Sequence, residues 1–444
     1  MRLILWLILP LLGTKYIIRV PNSNQKVKME FSKYNIYVKQ DENVSIFNTL
    51  TSALVQLTND TFNGLLKMDN NSNIIKQLTD MGIIINDRRE EIQKYKYIQY
   101  SRMFRNNRIL LYICPTMNCN FSCSYCFEAG NKRKINMTED VEDAIVRYLV
   151  KNKDKIISII WFGGEPLLNI KTIENITKKL EMEHVNYSSS MITNGSLLNS
   201  HAIEILKNIS IEFIQISMDG TKTIHDSRRY FHSGKGSFDI IISGIKLLLS
   251  ETSIPITIQV AIDKTNFKEY EKLLGFFNQE FPSQMKSKRI QLNYNIVKDR
   301  TNFDTQGSCM NHQDYYNYLM RIDELKISNK RNLFLPDIAS PCMYNSVGTY
   351  AITPDGEIFK CLEHVGNKNK SIGNIIKESI SLERLSSCFF KANHLENSEC
   401  IDCPVLPVCG GGCPLDREID QGVNKVACSF YRTHLDKIIS QMKL

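Results

Sequence analysis

Residues 109–126 read ILLYICPTMNCNFSCSYC, an apolar, β-branched run that passes directly into a loop with three closely spaced cysteines. The apolar run predicts a buried strand. Cys119, Cys123 and Cys126 are four and three residues apart, so their thiolates can converge on one metal site, and such ligands are typical of zinc and iron–sulfur clusters. Three thiolates would leave one iron of a [4Fe-4S] cluster open for another ligand. A structural zinc site needs four protein ligands and would have to borrow Cys114.

Residues 108–298 alternate between apolar runs and amphipathic stretches. The predicted strands are Ile109–Cys114, Ile157–Phe162, Met191–Thr193, Phe213–Met218, Ile256–Ile262 and Ile290–Ile296. The predicted helices are Thr138–Lys151, Ile173–Met182, Ser200–Asn208, Ser237–Ser250 and Phe267–Phe277. This alternation is typical of an α/β fold with a parallel sheet and right-handed crossovers. Six repeats predict a partial (β/α)6 TIM-like barrel over residues 106–300, with its chemistry at the carboxyl ends of the strands.

Polar and glycine residues follow the predicted strands at those ends. Residues 163–166 read GGEP, where two glycines allow close approach of the backbone to a ligand. Backbone carbonyls there and the carboxylate of Glu165 can accept hydrogen bonds from an ammonium group. Residues 193–195 read TNG and residues 217–220 read SMDG, which supply short polar side chains. Residues 225–229 read HDSRR, and an arginine can pair with a carboxylate through two hydrogen bonds.

The composition fits a globular protein of two or three domains. The chain has 444 residues, 43% of them hydrophobic and 23% charged, which excludes wholesale disorder, collagen-like fibres and coiled coils. The formal net charge of +8 is mild and makes no case for nucleic acid. Of the 13 cysteines, none lies in residues 1–113 and eight lie in residues 342–428. An odd and clustered count favours metal ligation over disulfides.

The carboxyl-terminal region, residues 301–444, carries a second ordered cysteine pattern in an irregular sequence. The pattern consists of Cys342, Cys361, Cys400, Cys403, Cys409, Cys413 and Cys428. Little of the region has helical or strand periodicity, so we expect metal rather than a large core to hold it together. A zinc ribbon is the alternative interpretation.

The cysteine loop, its place after the first strand and the six repeats resemble the radical S-adenosylmethionine (radical SAM) enzymes. In that family a three-cysteine [4Fe-4S] cluster binds S-adenosylmethionine at its open iron, and electron transfer yields a 5′-deoxyadenosyl radical. The resemblance implies that Cys119, Cys123 and Cys126 hold this catalytic cluster. The residues that it assigns to S-adenosylmethionine are Tyr125, Gly163, Gly164, Glu165, Pro166, Thr193, Asn194, Ser217, Asp219 and Arg229.

The carboxyl-terminal cysteine spacing closely resembles the SPASM extension of radical SAM enzymes, which binds two auxiliary [4Fe-4S] clusters. The ligands that this resemblance implies for one auxiliary cluster are Cys400, Cys403, Cys409 and Cys428. The ligands implied for the other are Cys342, Cys361 and Cys413. No fourth ligand of that second cluster is apparent. Cys309 and Cys388 are candidate substitutes, and an open iron is the alternative.

Two segments precede the predicted barrel. Residues 1–28 include the run LILWLILPLL, which is too short to span a bilayer and resembles the apolar part of a secretory signal. An apolar first element and a chain that starts near Met29 are the alternatives. Residues 29–105 predict a small α+β domain that could offer a strand edge or groove to a leader peptide. Its expected strands are Phe31–Val38 and Asn43–Phe47, and its expected helices are Leu50–Leu57, Phe62–Met68 and Ile74–Met81.

Radical SAM enzymes with this architecture mostly modify peptides or proteins. The resemblance therefore predicts a maturase that abstracts hydrogen from a ribosomally made peptide with a leader sequence and forms a cysteine thioether crosslink. Alternatives are an enzyme that forms carbon–carbon crosslinks and an anaerobic sulfatase-maturing enzyme that makes formylglycine, with Asp263 or Asp304 as base. The non-enzyme alternative is a zinc-stabilised binding protein. We expect an electron donor such as flavodoxin or ferredoxin, a cytoplasmic location, and neither nucleic acid nor stable membrane association.

Overall fold

The computed structural model describes residues 30–67, 72–126, 128, 134–297, 307–324, 337–391, 393–418 and 428–441. The apolar segment at residues 1–28 and the alternative base Asp304 lie outside these ranges. The described residues fall into two compact units. The auxiliary unit comprises the described parts of residues 1–100, 328–340 and 393–444, and the barrel unit comprises those of residues 101–327 and 341–392. In these ranges no helix combines the length and the apolar character that crossing a bilayer requires.

The amino-terminal part of the chain folds as a small α+β structure. Its strands are β1 (Glu30–Phe31), β2 (Asn35–Gln40), β3 (Asn43–Asn48), β4 (Ala53–Thr58) and β5 (Ile84–Ile85). Its helices are α1 (Asn59–Leu66), α2 (Ser72–Asp80) and α3 (Arg88–Met103). Strands β2, β3 and β4 form an antiparallel sheet in that order. The expected strand pair is therefore present, with a third strand beside it.

The third strand corrects the helix predicted at Leu50–Leu57. In the structure β4 pairs with β3, and Val55 and Leu57 lie opposite two apolar residues of β3. Both faces of β4 carry apolar side chains, so their spacing in the sequence resembles that of a helix. Thr58 is the N-cap of α1, because its Oγ1 accepts a hydrogen bond from the Thr61 amide at 3.2 Å.

Both faces of the three-stranded sheet are buried inside the auxiliary unit. The side chains of Val44 and Ile46 pack on one face with those of Leu65 and Leu78 from α1 and α2. The opposite face carries Phe47, which is fully buried with four residues of the carboxyl-terminal region: Val405, Val408, Leu435 and Ile439. Each such side chain contributes about 1.5–3 kcal/mol when it is fully buried. The carboxyl-terminal residues thus complete the core of the amino-terminal sheet.

The barrel unit is built on six parallel strands, as predicted. The strands are β6 (Arg108–Ile113), β7 (Ile156–Trp161), β8 (Tyr187–Thr193), β9 (Ile211–Ser217), β10 (Ile256–Ile262) and β11 (Ile290–Ile296). The helices between them are α4 (Glu139–Val150), α5 (Ile170–Met182), α6 (Ser200–Lys207), α7 (Lys222–Arg228), α8 (Phe238–Glu251) and α9 (Glu269–Glu280). Strand β8 begins at Tyr187, before the predicted Met191. The sequence does not predict this first part because residues 188–190 are serines and form no apolar run.

Burial alternates along the strands of the parallel sheet, so that one face is packed and the other is partly exposed. In β10 every second side chain from Ile256 to Ile262 is buried, while Thr257, Gln259 and Ala261 are partly exposed on the other face. Strand β11 is likewise polar and exposed at alternate positions. The six strands run parallel, so their carboxyl ends meet at one edge of the sheet. The predicted site residues follow those ends.

Residues 301–444 hold more regular structure than the sequence predicts. Strand β12 (Thr349–Ile352) pairs in parallel with β6 and extends the sheet beyond the barrel strands. Three short antiparallel strands follow it: β13 (Glu357–Phe359), β14 (Gly373–Asn374) and β15 (Ser379–Ile380). Helices lie at His312–Glu324, Leu382–Phe390 and Tyr431–Ser440. The sheet extension brings residues that follow Cys361 to the same edge as the cysteine loop.

Candidate active site

The first cysteine loop lies at the carboxyl edge of the parallel sheet. Cys119, Cys123 and Cys126 are all partly buried and all line one pocket of about 450 Å³. The loop is anchored by Phe121, which is fully buried and meets the ring of Phe231 edge to face at 4.9 Å between centroids. The three thiols therefore face a common space, as their spacing predicts.

The glycines of the GGEP segment are required by the cysteine loop itself. A Cβ atom on Gly164 would lie 2.3 Å from the carbonyl oxygen of Asn118, and one on Gly163 would lie 2.4 Å from that of Thr116. Gly163 also has a φ of +113°, which side-chain-bearing residues rarely adopt. The Glu165 amide donates to the Asn118 carbonyl at 2.8 Å. The segment after β7 therefore packs closely against the cysteine loop. From the sequence, the glycines were expected only to let the backbone approach a ligand.

Glu165 is fully buried, and its carboxylate is bonded within the protein. Its Oε1 accepts hydrogen bonds from Thr193 Oγ1 at 2.7 Å and from the Leu167 amide at 3.0 Å, and its Oε2 accepts one from the Asn194 amide at 2.7 Å. Burial raises the pKa of this carboxyl group, although the three hydrogen bonds oppose the rise. Glu165 therefore fixes the end of β8, where Thr193 and Asn194 line the pocket.

The two arginines of the HDSRR segment have different surroundings. Arg229 lines the pocket, and its Nη1 donates to the Tyr125 hydroxyl at 2.7 Å. Arg228 instead bridges two buried carboxylates, with Nε 3.0 Å from Asp219 Oδ2 and Nη1 2.9 Å from Asp263 Oδ2. Its guanidinium carbon lies 4.8 Å from the centroid of the Tyr125 ring. Arg228 thus ties the ends of β9 and β10 together, whereas Arg229 faces the space beside the cysteines.

His225 links the Asp219 amide, after the end of β9, to the backbone of Arg229. It is fully buried, and burial followed by the charge of Arg229 lowers the pKa of its imidazole to about 3. Its Nδ1 accepts from the Asp219 amide at 3.4 Å, and its Nε2 lies 2.9 Å from Ser237 Oγ, which donates to the Arg229 carbonyl at 2.6 Å. A neutral imidazole with its proton on Nε2 satisfies all of these contacts. It holds the backbone of Arg229 in place.

Ten of the predicted site residues line the pocket, and three do not. The ten are Cys119, Cys123, Tyr125, Cys126, Gly163, Gly164, Thr193, Asn194, Ser217 and Arg229. Glu165, Pro166 and Asp219 lie behind this lining. Direct contact of all thirteen residues with a cofactor stays a prediction.

Several pocket residues were missed by the sequence analysis. Gln215, Gln259 and Asn295 project from three neighbouring strands into the pocket, and Gln259 Nε2 donates to Asn295 Oδ1 at 3.4 Å. Glu363, from the segment after Cys361, also lines it. The three amides could have been found from the sequence. Each is a polar residue in a largely apolar strand, and the alternation of side chains along the strand places it on one face of the sheet. Glu363 could not have been found in this way, because it reaches the pocket only through the long-range pairing of β12 with β6.

Four cysteines of the second pattern surround a separate, much smaller space in the auxiliary unit. Cys400, Cys403, Cys409 and Cys428 line a pocket of about 20 Å³. Burial raises the pKa of the Cys400 thiol to about 11. The thiol of Cys428 accepts a hydrogen bond from Arg432 Nη1 at 2.8 Å. This set is the one that the sequence assigns to a single auxiliary cluster, and its four members lie together.

The remaining cysteines are divided between the two units. Cys342 and Cys361 belong to the barrel unit, and Cys413 belongs to the auxiliary unit. Cys388 is buried, and its thiol donates to the Arg384 carbonyl at 3.3 Å. In the described residues no three or more His, Cys, Asp or Glu side chains converge as they would around a single metal ion. A four-iron cluster takes one thiolate per iron, so its cysteines surround a volume rather than a point.

Comparison with known proteins agrees with the architecture. A family model described as the Radical SAM superfamily matches residues 113–277. The cysteine-type anaerobic sulfatase-maturating enzyme of Clostridium novyi is 24% identical over 358 residues, which cover 73% of this chain and 93% of that protein. The radical SAM cyclopropyl synthase TigE of Paramaledivibacter caminithermalis is 24% identical over 471 residues, which cover 93% of this chain and 96% of that protein.

A solved protein with a similar fold is SuiB of Streptococcus suis. Its structure with S-adenosylmethionine has a TM-score of 0.55 and 15% identity, and the match covers 90% of this chain and 99% of SuiB. Its structure with the precursor peptide SuiA has a TM-score of 0.52 and 16% identity, over 87% of this chain and 95% of SuiB. At such identity the likeness shows a shared fold.

Proposed function

The chain contains a domain of the radical SAM superfamily at residues 113–277, and we propose that it modifies a ribosomally made peptide that carries a leader sequence. The observation that carries this proposal is the extent of the two alignments. The match to the cyclopropyl synthase covers 93% of the chain, whereas that to the sulfatase-maturating enzyme covers 73%. The proposed product is an intramolecular crosslink, with a cysteine thioether as the preferred form.

The residues around the larger pocket fit S-adenosylmethionine and a three-cysteine cluster. The pocket volume of about 450 Å³ lies within the range of small-molecule sites. Cys119, Cys123 and Cys126 would hold the cluster, and the cation of Arg229 is available to the carboxylate of the ligand. When bound, the cluster and S-adenosylmethionine supply hydrogen-atom abstraction from an unactivated carbon.

The amide side chains of the pocket fit the backbone of a peptide substrate. Gln215, Gln259 and Asn295 each offer a donor and an acceptor, which match the backbone groups of an extended peptide. Strands β2 and β4, the edges of the sheet in the auxiliary unit, are candidates for leader binding by strand addition. Cys400, Cys403, Cys409 and Cys428 of that unit would hold an auxiliary cluster, which would supply an electron acceptor for a net oxidation.

Formylglycine formation in a sulfatase is the second candidate function. The relative in Clostridium novyi favours it. Such a reaction would use a carboxylate base near the substrate carbon. Asp263, one of the two bases considered from the sequence, is buried, ion-paired with Arg228 and hydrogen-bonded to Thr265. It does not line the pocket, so it is poorly placed for that task.

Metal content and product mass test the proposal together. After anaerobic reconstitution we expect roughly twelve iron atoms per chain, equivalent to three four-iron clusters. The chain is then co-expressed with candidate cysteine-containing precursor peptides and, separately, with a sulfatase peptide, using Cys123→Ala as the inactive control. Loss of two hydrogen atoms from one peptide supports the crosslink, and loss of sulfur from a sulfatase peptide supports the second candidate. Stoichiometric zinc without iron would overturn both.

A further inference from the structure

A buried arginine accompanies the four-cysteine site of the auxiliary unit. Arg417 is 5% exposed and lies in the short helix Pro414–Glu418, which follows Cys413. Its Nη1 donates to the carbonyl of Gly411. Its Nε and Nη2 have no hydrogen-bond partner in the part of the chain that the structure describes. Two of its donor groups are therefore left unused in a buried position.

The loop between Cys409 and Cys413 is shaped around this guanidinium. Gly411 has a φ of +75°, and a Cβ atom there would lie 2.3 Å from Arg417 Nη1 and 2.2 Å from the Cβ of His394. His394 is also buried, and burial followed by the charge of Arg417 lowers the pKa of its imidazole to about 3. The histidine is therefore neutral and adds no charge beside the arginine.

The groups whose negative charge would act most strongly on Arg417 are cysteine side chains in their thiolate form. Burial lowers the pKa of the guanidinium, and the groups that oppose this shift are, in decreasing order, Cys400, Cys413, Cys409 and Asp416. Taking a cation out of water costs several kcal/mol unless an anion or suitable acceptors compensate for it. Thiolates that are bound to iron are anionic acceptors of this kind.

We propose that Arg417 is a positioning residue whose positive charge acts on the auxiliary cluster at Cys400, Cys403, Cys409 and Cys428, because it donates to the carbonyl of Gly411, which lines the pocket together with these cysteines. The inference rests on the cluster assignment of the proposed function. A positive charge stabilises the state with one additional electron, so Arg417 makes this cluster easier to reduce. Arg432 also contacts a ligand, Cys428, but its side chain is exposed and water screens its charge.

The test is a potentiometric titration of the full-length reconstituted chain, followed by electron paramagnetic resonance. In Arg417→Met we expect the midpoint potential of one cluster to shift to a more negative value, with iron per chain unchanged. Arg417→Lys keeps the positive charge, so the midpoint potential of this variant should lie close to that of the parent. Arg432→Met, the matched exposed variant, should shift the potential less. None of these measurements needs the peptide substrate.

The outcomes separate this inference from the function on which it rests. Midpoint potentials in Arg417→Met equal to those of the parent, with full iron content, would overturn the role of Arg417. If Arg417→Met loses iron, Arg417→Gln replaces it and the same criterion applies. Loss of iron from all three Arg417 variants would also overturn the inference, because the residue would then serve folding alone. A parent chain without iron would overturn the cluster assignment itself.

Discussion

The barrel unit and the auxiliary unit each gather cysteines around a space, but the two spaces differ greatly in size. Three cysteines of the barrel unit line a pocket of about 450 Å³ that also exposes amides, hydroxyls and Arg229. Four cysteines of the auxiliary unit line one of about 20 Å³ with few other polar groups. Three thiolates beside a large pocket that also holds several polar groups suit a cluster that shares a site with an organic ligand. Four thiolates gathered in one place supply the number of protein ligands that a fully ligated four-iron cluster needs.

The arginines beside the two sites follow the same distinction. In the barrel unit the carboxylates Asp219 and Asp263 are occupied by Arg228, which leaves Arg229 toward the pocket. In the auxiliary unit Arg417 is buried against the loop between Cys409 and Cys413, with two N–H groups unused. One cation is thus available to a ligand that enters and leaves. The other would be enclosed with the permanent group that we propose for the auxiliary unit.

The largest expected effect is the loss of cofactor cleavage when a barrel-unit cysteine is removed. Cys123→Ala should bring cleavage of S-adenosylmethionine below detection, because the pocket loses a cluster ligand. Cleavage is followed by the formation of 5′-deoxyadenosine under reducing conditions. Cys114→Ala is the matched control, since Cys114 is buried at the start of the same loop and should leave cleavage intact. Equal activity in parent and Cys123→Ala would contradict the cysteine assignment.

Removing an auxiliary-unit cysteine should have a smaller and different effect. Cys403→Ala should lower iron content by roughly four atoms per chain, the content of one cluster, while cleavage of S-adenosylmethionine without peptide continues. Product formation should stop. The variant must be checked for folding, because Cys403 packs against the hydrophobic core that contains Phe47. Cleavage that disappears together with the iron in a folded variant would show that the two sites are not separable.

The two neighbouring arginines should separate ligand binding from stability. Arg229→Met should weaken S-adenosylmethionine binding roughly 10–100-fold, as expected for the loss of a charged hydrogen-bonding group. Arg228→Met should leave the buried Asp263 without its ion-pair partner and Asp219 with only the 4.0 Å contact to Arg229, and so lower the free energy of unfolding by roughly 3–5 kcal/mol. Equilibrium dialysis and thermal unfolding measure the two effects. The reverse pattern, with binding lost mainly in Arg228→Met, would exchange the two roles.

The parts of the molecule that could be predicted are those governed by local sequence. The parallel strands carry runs of β-branched residues, and Ile256–Ile262 and Ile290–Ile296 match their predicted bounds. The helix predicted at Leu50–Leu57 failed because β4 is buried on both faces by segments distant in sequence. Glu363 was missed for a similar reason, since its place depends on a long-range strand pairing. The pocket itself followed from the rule that barrel sites lie at the carboxyl ends of strands.

The smallest expected effect concerns two buried histidines, one in each unit. His225 and His394 both have a pKa lowered to about 3, chiefly by burial, from an ordinary value of 6.5. Between these values the unfolded chain binds protons that the folded chain does not, so these groups reduce stability as pH falls from 6.5 toward 3. Each contributes at most about 1.4 kcal/mol per pH unit.

Single variants should assign that pH dependence to the units. In His225→Gln the fall of the unfolding free energy between pH 6.5 and 4.5 should be shallower than in the parent, and the same should hold for His394→Gln. Chemical denaturation at a series of pH values measures both slopes. Additive changes in the double variant are expected, because each histidine lies in its own unit. Slopes identical to that of the parent would mean that the two imidazoles are already charged in the folded chain. This result would contradict the neutral His225 imidazole that supports the backbone of Arg229.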